Sequence, residues 1–227
     1  MKLIIFDCDG TIVDSQHMIV AAMSRAFSEA GLSAPDRTAI LDVVGLSLEP
    51  AVARLVPGAT NPASVRGLAE AYKRAFQDLR RDPLNFEPLY PGARETLVEL
   101  GRCPGVTLGI ATGKSIRGVD AVLKREQLDG LFATIQTADT HPSKPHPSMI
   151  QAALAETGAE PDAAVMIGDT TYDIEMARAA GVAALGVAWG YHAPAALTGA
   201  GASTVLSDYS QLTAAIDAIL KHRSTAR

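Results

Sequence analysis

Cysteine is scarce. Cys8 and Cys103 are the only two in 227 residues. They form no CxxC pair, so they supply neither a disulfide framework nor a thiolate metal cluster, and two reduced thiols are expected. Cys8 stands between Asp7 and Asp9, and acids on both sides disfavour the thiolate a nucleophile would need. A long apolar run is also missing. Leu3-Ile4-Ile5-Phe6 turns acidic at Asp7, too short for the core of a signal peptide and far below the ~20 residues of a membrane span. A soluble, cytoplasmic protein without a membrane partner is the expectation. There is no basic surplus either. The formal charge is −5, which leaves no electrostatic footprint for nucleic acid. Internal repeats and low-complexity tracts are absent, as is the GxGxxG turn a dinucleotide-binding dehydrogenase would carry after its first strand.

What is present is the material of a globular chain. The hydrophobic fraction is 48%, enough for a core, and the length suits one domain with an insertion or two small domains. Leu3–Phe6 is a short β-branched run ended by charge and glycine, the signature of a buried parallel strand. The same signature recurs at Val106–Ala111, Ala133–Gln136, Ala164–Ile167, Ala183–Val187 and, more weakly, Thr204–Leu206. Helical patterns lie between them at Arg94–Leu100, Ser115–Glu126, Pro147–Thr157 and Tyr172–Ala180. Strand and helix in alternation imply a parallel sheet covered on both faces, which binds ligands at the carboxyl ends of its strands.

Residues 14–83 break the alternation. Met18–Ala30 is amphipathic, with Ile19, Ala22, Met23, Ala26 and Phe27 on one face. Asp36–Val44 and Leu48–Val56 are shorter helical segments, and Asn61-Pro62 caps a long one over Ala63–Arg81. The division is therefore an α/β core domain of residues 1–13 and 84–227 with an all-helical domain, 14–83, inserted after the first strand. The polar, basic tail Lys221–Arg227 is expected to fray.

Four segments carry chemistry, each at the end of an expected strand. Asp7-Cys8-Asp9-Gly10-Thr11 places two carboxylates two residues apart, hence on one side of an extended segment, with Gly10 free to turn sharply. Such carboxylates resist joint ionisation unless a cation or a shared proton relieves them. Alone, the segment reads equally as a strand end with solvated acids. Thr112-Gly113-Lys114 puts a hydroxyl and free N–H groups at a helix start, suited to phosphate, although Thr is also an ordinary N-cap. In Pro142-Ser143-Lys144-Pro145-His146-Pro147 the prolines fix the backbone and hold Lys144 in place; His141 and His146 read as structural or rim residues. In Gly168-Asp169-Thr170-Thr171-Tyr172-Asp173, Asp169 and Asp173 fall on one side, as a hard cation such as Mg²⁺ requires. Helix-dipole preference accounts for Asp173 but not Asp169.

Together, Asp7-x-Asp9-Gly10-Thr11, Thr112-Gly113, Lys144-Pro145 and Gly168-Asp169-x-x-x-Asp173 resemble the motif set of the haloacid dehalogenase-like (HAD) hydrolase superfamily, in its phosphoglycolate phosphatase-like group. The resemblance implies a Rossmann-like parallel sheet core with an inserted all-helical C1 cap. It implies a phosphatase in which Asp7 attacks phosphorus and Asp9 serves as acid and then base. Mg²⁺ is then held by Asp7, the Asp9 backbone carbonyl, Asp169 and, through water, Asp173. Thr112 and Lys144 are catalytic, while Gly10, Thr11, Gly113 and Lys114 bind substrate, a small phosphorylated metabolite such as 2-phosphoglycolate. The chain would act as a monomer or homodimer. Val44-Gly45-Leu46-Ser47 is the candidate cap loop facing the site, against an ordinary helix–helix turn. Trp189-Gly190-Tyr191-His192 reads as a structural aromatic cluster, against a contact with substrate or cap. A dehalogenase leaves Asp9 and Asp169 without a task. A phosphomutase of the β-phosphoglucomutase type shares the core residues and differs in its cap. A phosphoacceptor signalling module would lack the helical insertion.

Overall fold

A computed structural model describes residues 1–56, 58, 61–82 and 84–225. Six parallel strands form one sheet: β1 (Lys2–Phe6), β2 (Val106–Thr112), β3 (Thr134–Thr137), β4 (Ala164–Gly168), β5 (Ala183–Val187) and β6 (Thr204–Leu206). Their order is β3-β2-β1-β4-β5-β6. β1 is central, paired Phe6 to Ile110 on one side and Phe6 to Ile167 on the other. Leu3, Ile4, Ile5 and Phe6 are fully buried, because helices cover both faces and alternate side chains go to opposite sides.

Ile4 and Phe6 pack with α5 (Ala93–Arg102), α6 (Ile116–Arg125) and α10 (Leu212–Thr225). Leu3 and Ile5 pack with α7 (Ser148–Thr157), α8 (Thr171–Ala179) and Leu197 of α9 (Pro194–Ala200). Each large side chain buried this way contributes about 1.5–3 kcal/mol, so the carboxyl end of β1 is rigidly placed. The expected strands match the observed ones to within a residue or two. Helices α9 and α10 are additions. α9 shows a single buried apolar residue, Leu197. The tail expected to fray is helical to Thr225, because Leu212, Ile216 and Leu220 fall on one stripe against the sheet and Arg223 pairs with Asp162 at 2.7 Å.

Between β1 and α5 the described residues contain four helices: α1 (Gln16–Glu29), α2 (Arg37–Asp42), α3 (Leu48–Leu55) and α4 (Pro62–Arg80). Their starts follow the sequence signals, with Asp36 accepting from Ala39 N and Asn61 from Ala63 N. They share a core of Ile19, Met23, Phe27, Ile40, Val52 and Leu68. The insertion leaves and returns at one place. Asp14 N donates to Pro88 O (2.8 Å), Tyr90 N donates to Ile12 O (3.0 Å), and Val13 bridges antiparallel to Leu89. The expected boundary at residue 83, and residues 226–227 of the tail, lie outside the described residues.

Candidate active site

Asp7 follows β1 directly, and its N–H donates to Ile167 O of β4 at 2.9 Å. Asp169 follows β4, and Thr112 ends β2. Three adjacent strands thus deliver three of the expected residues to one point, and Asp173 joins them from the first turn of α8. Asp7, Asp169 and Asp173 are 1%, 0% and 0% exposed, with one carboxylate oxygen of each within 4.8 Å of the others. Lys144, in the β3–α7 connection, reaches the cluster from the far side. Its Nζ lies 2.8 Å from Asp7 Oδ1 and 2.6 Å from Asp173 Oδ1.

The oxygens of this cluster are held unequally. Asp169 Oδ1 accepts from the Thr11 hydroxyl (2.9 Å) and Oδ2 from Tyr191 N (2.9 Å). Asp173 Oδ2 accepts from Thr170 N and the Thr170 hydroxyl in a capping box, so Asp173 serves the helix start as well as the cluster. Asp7 has no aligned hydrogen-bond donor on either oxygen; its contact with Lys144 is an ion pair off the hydrogen-bonding direction. Three buried carboxylates against one ammonium leave negative charge in surplus. Burial, with Asp173 adding to it and Lys144 opposing, raises the Asp7 carboxyl to about 6. Burial and then Asp173 and Asp7 push Asp169 well above the usual carboxylate range. Burial alone would lower Lys144, but Asp173 and Asp7 reverse this and raise it. Unsatisfied oxygen, an all-oxygen donor set and unbalanced negative charge fit a hard divalent cation.

Glycine makes the close approach possible. A Cβ on Gly10 (φ +85°) would lie 2.2 Å from Asp169 Oδ2, and one on Gly190 would lie 2.1 Å from Asp169 Cβ. The Asp7-to-Thr11 turn therefore sits directly against the second acidic loop.

Asp9 stands outside the three-carboxylate group, its side chain 13% exposed. Its Oδ1 receives the Ser15 hydroxyl (2.6 Å) and Lys114 Nζ (2.7 Å). Thr112 is not the cap of α6. That place belongs to Ser115, whose hydroxyl accepts from Gly118 N. The Thr112 hydroxyl accepts from Lys114 N (3.2 Å) and stands beside Asp7, where it helps the ionised form. Cys8 is buried, and burial and then Asp9 hold its thiol well above the ordinary range, which disfavours a thiolate there.

A cavity of about 500 Å³ opens above Asp7 and Asp9. Its floor includes Thr112, Gly113 and Lys114, and its roof comes from α1, the Val43–Ser47 turn and α4. The turn closes directly on the site: a Cβ on Gly113 would lie 2.8 Å from both Gly45 O and Leu46 O. Ser47 N donates to the Ser143 hydroxyl, one residue from Lys144. His141 is a structural rim residue, bonded to Ser148 and Gln136. The Trp189–His192 segment is both cluster and contact. Trp189 stacks near Tyr209 and donates to Thr11 O. Tyr191 reaches Ser15. His192 Nε2 and the Tyr172 hydroxyl meet Asp42 O of the insertion.

Sequence patterns missed Ser15, the Tyr191 N–H and Glu87. Ser15 and Tyr191 sit in irregular stretches with no period to mark them. Glu87 left one signal, an isolated acid in the otherwise uncharged Leu84–Tyr90. It is 1% exposed and paired with Lys114 and Arg80.

The chain matches the family described as haloacid dehalogenase-like hydrolase over residues 4–187. It is 35% identical over 227 residues to the Dickeya dadantii (strain 3937) protein named "Probable phosphatase IndB", covering 98% of this chain and 96% of that one. It is 31% identical over 213 residues to a phosphoglycolate phosphatase of Pseudomonas putida, covering 93% of this chain and 78% of the relative. The crystal structure of a hydrolase from Pseudomonas syringae superposes with a TM-score of 0.84 at 28% identity, covering 96% and 99% of the two chains. The six-stranded parallel sheet, the acidic cluster at its centre and these matches agree: the chain belongs to the haloacid dehalogenase-like hydrolase family, among its phosphatases.

Proposed function

We propose that the chain hydrolyses small phosphomonoesters through an aspartyl-phosphate on Asp7. The observation that carries this reading is the Asp7 carboxylate: buried, without an aligned donor, and ringed by Lys144, Asp169 and Asp173. An Asp7 oxygen attacks phosphorus and the bond to the ester oxygen breaks, with Asp9 giving its proton to the departing oxygen. Asp9 then takes a proton from water as that water attacks phosphorus, and phosphate leaves with Asp7 restored. Lys144, the Thr112 hydroxyl and the Gly113 N–H, with Gly10, Thr11 and Lys114, orient and neutralise the phosphoryl oxygens. Mg²⁺, which Asp7, the Asp9 carbonyl, Asp169 and Asp173 would hold, supplies further neutralisation of phosphoryl charge when bound.

In this reading residues 14–83 are a cap that excludes bulk water and chooses the substrate. The substrate is a soluble phosphometabolite, with 2-phosphoglycolate a candidate from the phosphoglycolate phosphatase relatives, and the setting is the cytoplasm. No helix among the described residues is long and apolar enough to cross a membrane. The test is turnover across a panel of phosphometabolites with Mg²⁺, with and without chelator, for the parent and Asp7→Asn. Loss of turnover in Asp7→Asn and under chelation supports the reading; turnover in either refutes it. A sugar phosphate isomerised rather than hydrolysed points to the phosphomutase.

A further inference from the structure

Glu87 is a buried carboxylate that the proposed reaction does not use. It lies where the chain returns from the insertion, one residue before Pro88, which is hydrogen-bonded to Asp14. Its two oxygens face two cations from different parts of the molecule. Oε1 lies 2.7 Å from Lys114 Nζ, and Oε2 pairs with Arg80 at the end of α4. Arg125 of α6 donates to the Glu87 backbone carbonyl, so the residue is fixed by main chain as well as side chain. The same Lys114 Nζ lies 2.7 Å from Asp9 Oδ1. Arg80, Glu87 and Lys114 thus form one alternating string of charges that ends on Asp9 Oδ1, and in the proposed reaction the proton given to the leaving oxygen sits on Asp9 Oδ2. Lys114 is 8% exposed, Glu87 1% and Asp9 13%. The Phe76 ring lies against both cations of the string, its centroid 5.5 Å from Lys114 Nζ and 5.1 Å from Arg80 Cζ.

An ammonium has three N–H donors. Asp9 and Glu87 occupy two, which fixes the lysine in one geometry and leaves one for the cavity. Without Glu87 the lysine stem is free to rotate, and a buried cation deprived of one of its two carboxylates swings toward the other or toward solvent. Either movement changes how Asp9 is presented to a leaving oxygen.

We propose that Glu87 is a positioning residue for Asp9: acting through Lys114, and anchored by Arg80, it holds the Asp9 carboxyl where it protonates the departing oxygen. This rests on the assignment of Asp9 as the acid. A residue that serves proton delivery matters only when the leaving group needs a proton. Glycerol 2-phosphate releases an alkoxide that must be protonated, whereas p-nitrophenyl phosphate releases a phenolate that need not be. The quantity to compare is kcat/KM at saturating Mg²⁺, because it reports the steps through departure of the leaving group and is blind to later hydrolysis of the aspartyl-phosphate.

In Glu87→Gln, kcat/KM for glycerol 2-phosphate falls at least about tenfold further than that for p-nitrophenyl phosphate, within the range for loss of acid catalysis; any loss on p-nitrophenyl phosphate reports the weakened hold of Lys114 on the phosphoryl oxygens. Arg80→Gln, which removes only the partly exposed end of the string, shows the same selectivity at smaller size and covers the case in which Glu87→Gln does not fold. Equal losses on both esters, or no loss on either, overturn the proposal. Asp9→Asn separates the two levels. If Asp9→Asn changes the ratio of the two esters and Glu87→Gln does not, the positioning role fails and the acid assignment stands. If Asp9→Asn leaves the ratio unchanged, or the parent turns over neither ester, the reading beneath the proposal is wrong and the proposal falls with it.

Discussion

Asp7 differs from its acidic neighbours in what it lacks. Asp169 and Asp173 each spend oxygens on hydroxyls and backbone N–H groups, whereas Asp7 has only the Lys144 ion pair on Oδ1 and no aligned donor on either oxygen. Asp7→Asn preserves shape, so the fold should persist while turnover drops by at least about 10³-fold, as for loss of a covalent nucleophile; circular dichroism and a phosphate-release assay check the two halves. Lys144→Met removes the cation from three buried carboxylates. It should cost about 3–5 kcal/mol in metal-free unfolding, read from the urea midpoint. The residues of this scale that the sequence made legible are those that end a strand or open a helix, because a strand end fixes where its side chain goes. Thr112 was legible in place but not in local role, since Ser115 takes the capping duty. Glu87 and Ser15 were not legible, because their importance lies in partners distant along the chain and in no local period.

The elements divide the same way. All six strands could be read, since each is a short segment between breakers and the central ones, β1, β4 and β5, are apolar runs buried on both faces. α9 could not, because Pro194–Ala200 buries only Leu197 and its other residues leave no stripe. α10 was legible in principle through Leu212, Ile216 and Leu220, but its basic end resembles a solvated tail. Two tests belong here. Thr170→Ala removes the α8 cap and a donor to Asp173, and should lower stability by about 1–2 kcal/mol with an unchanged denaturant slope. Gly113→Ala pushes a methyl into the carbonyls of Gly45 and Leu46. It should lift the turn off the site, raising KM for the substrate while leaving the melting temperature within a few degrees of the parent.

Across the whole molecule, the acidic cluster sits at the meeting of β2, β1 and β4, so a cation there ties the most buried part of the sheet together. Mg²⁺ at about 100 times its dissociation constant should stabilise the fold by about 2.7 kcal/mol, which for a chain of this size is about 5–10 °C in melting temperature. Calorimetry with and without Mg²⁺ checks this, and the shift should vanish in Asp169→Asn. The paired connections at Asp14–Pro88 and Ile12–Tyr90 have another consequence. Because the inserted helices depart and rejoin side by side, they are a cassette that can be exchanged by inheritance or by grafting without rethreading the sheet. If the inserted helices choose the substrate, as proposed, the bond-breaking part and the choosing part of the enzyme can diverge at separate speeds. Arg80, the cassette's end of the charge string, sets the terms of any such exchange: on the proposed reading, a foreign cassette without it would fit the socket and leave Glu87, and through Lys114 the acid, less firmly held.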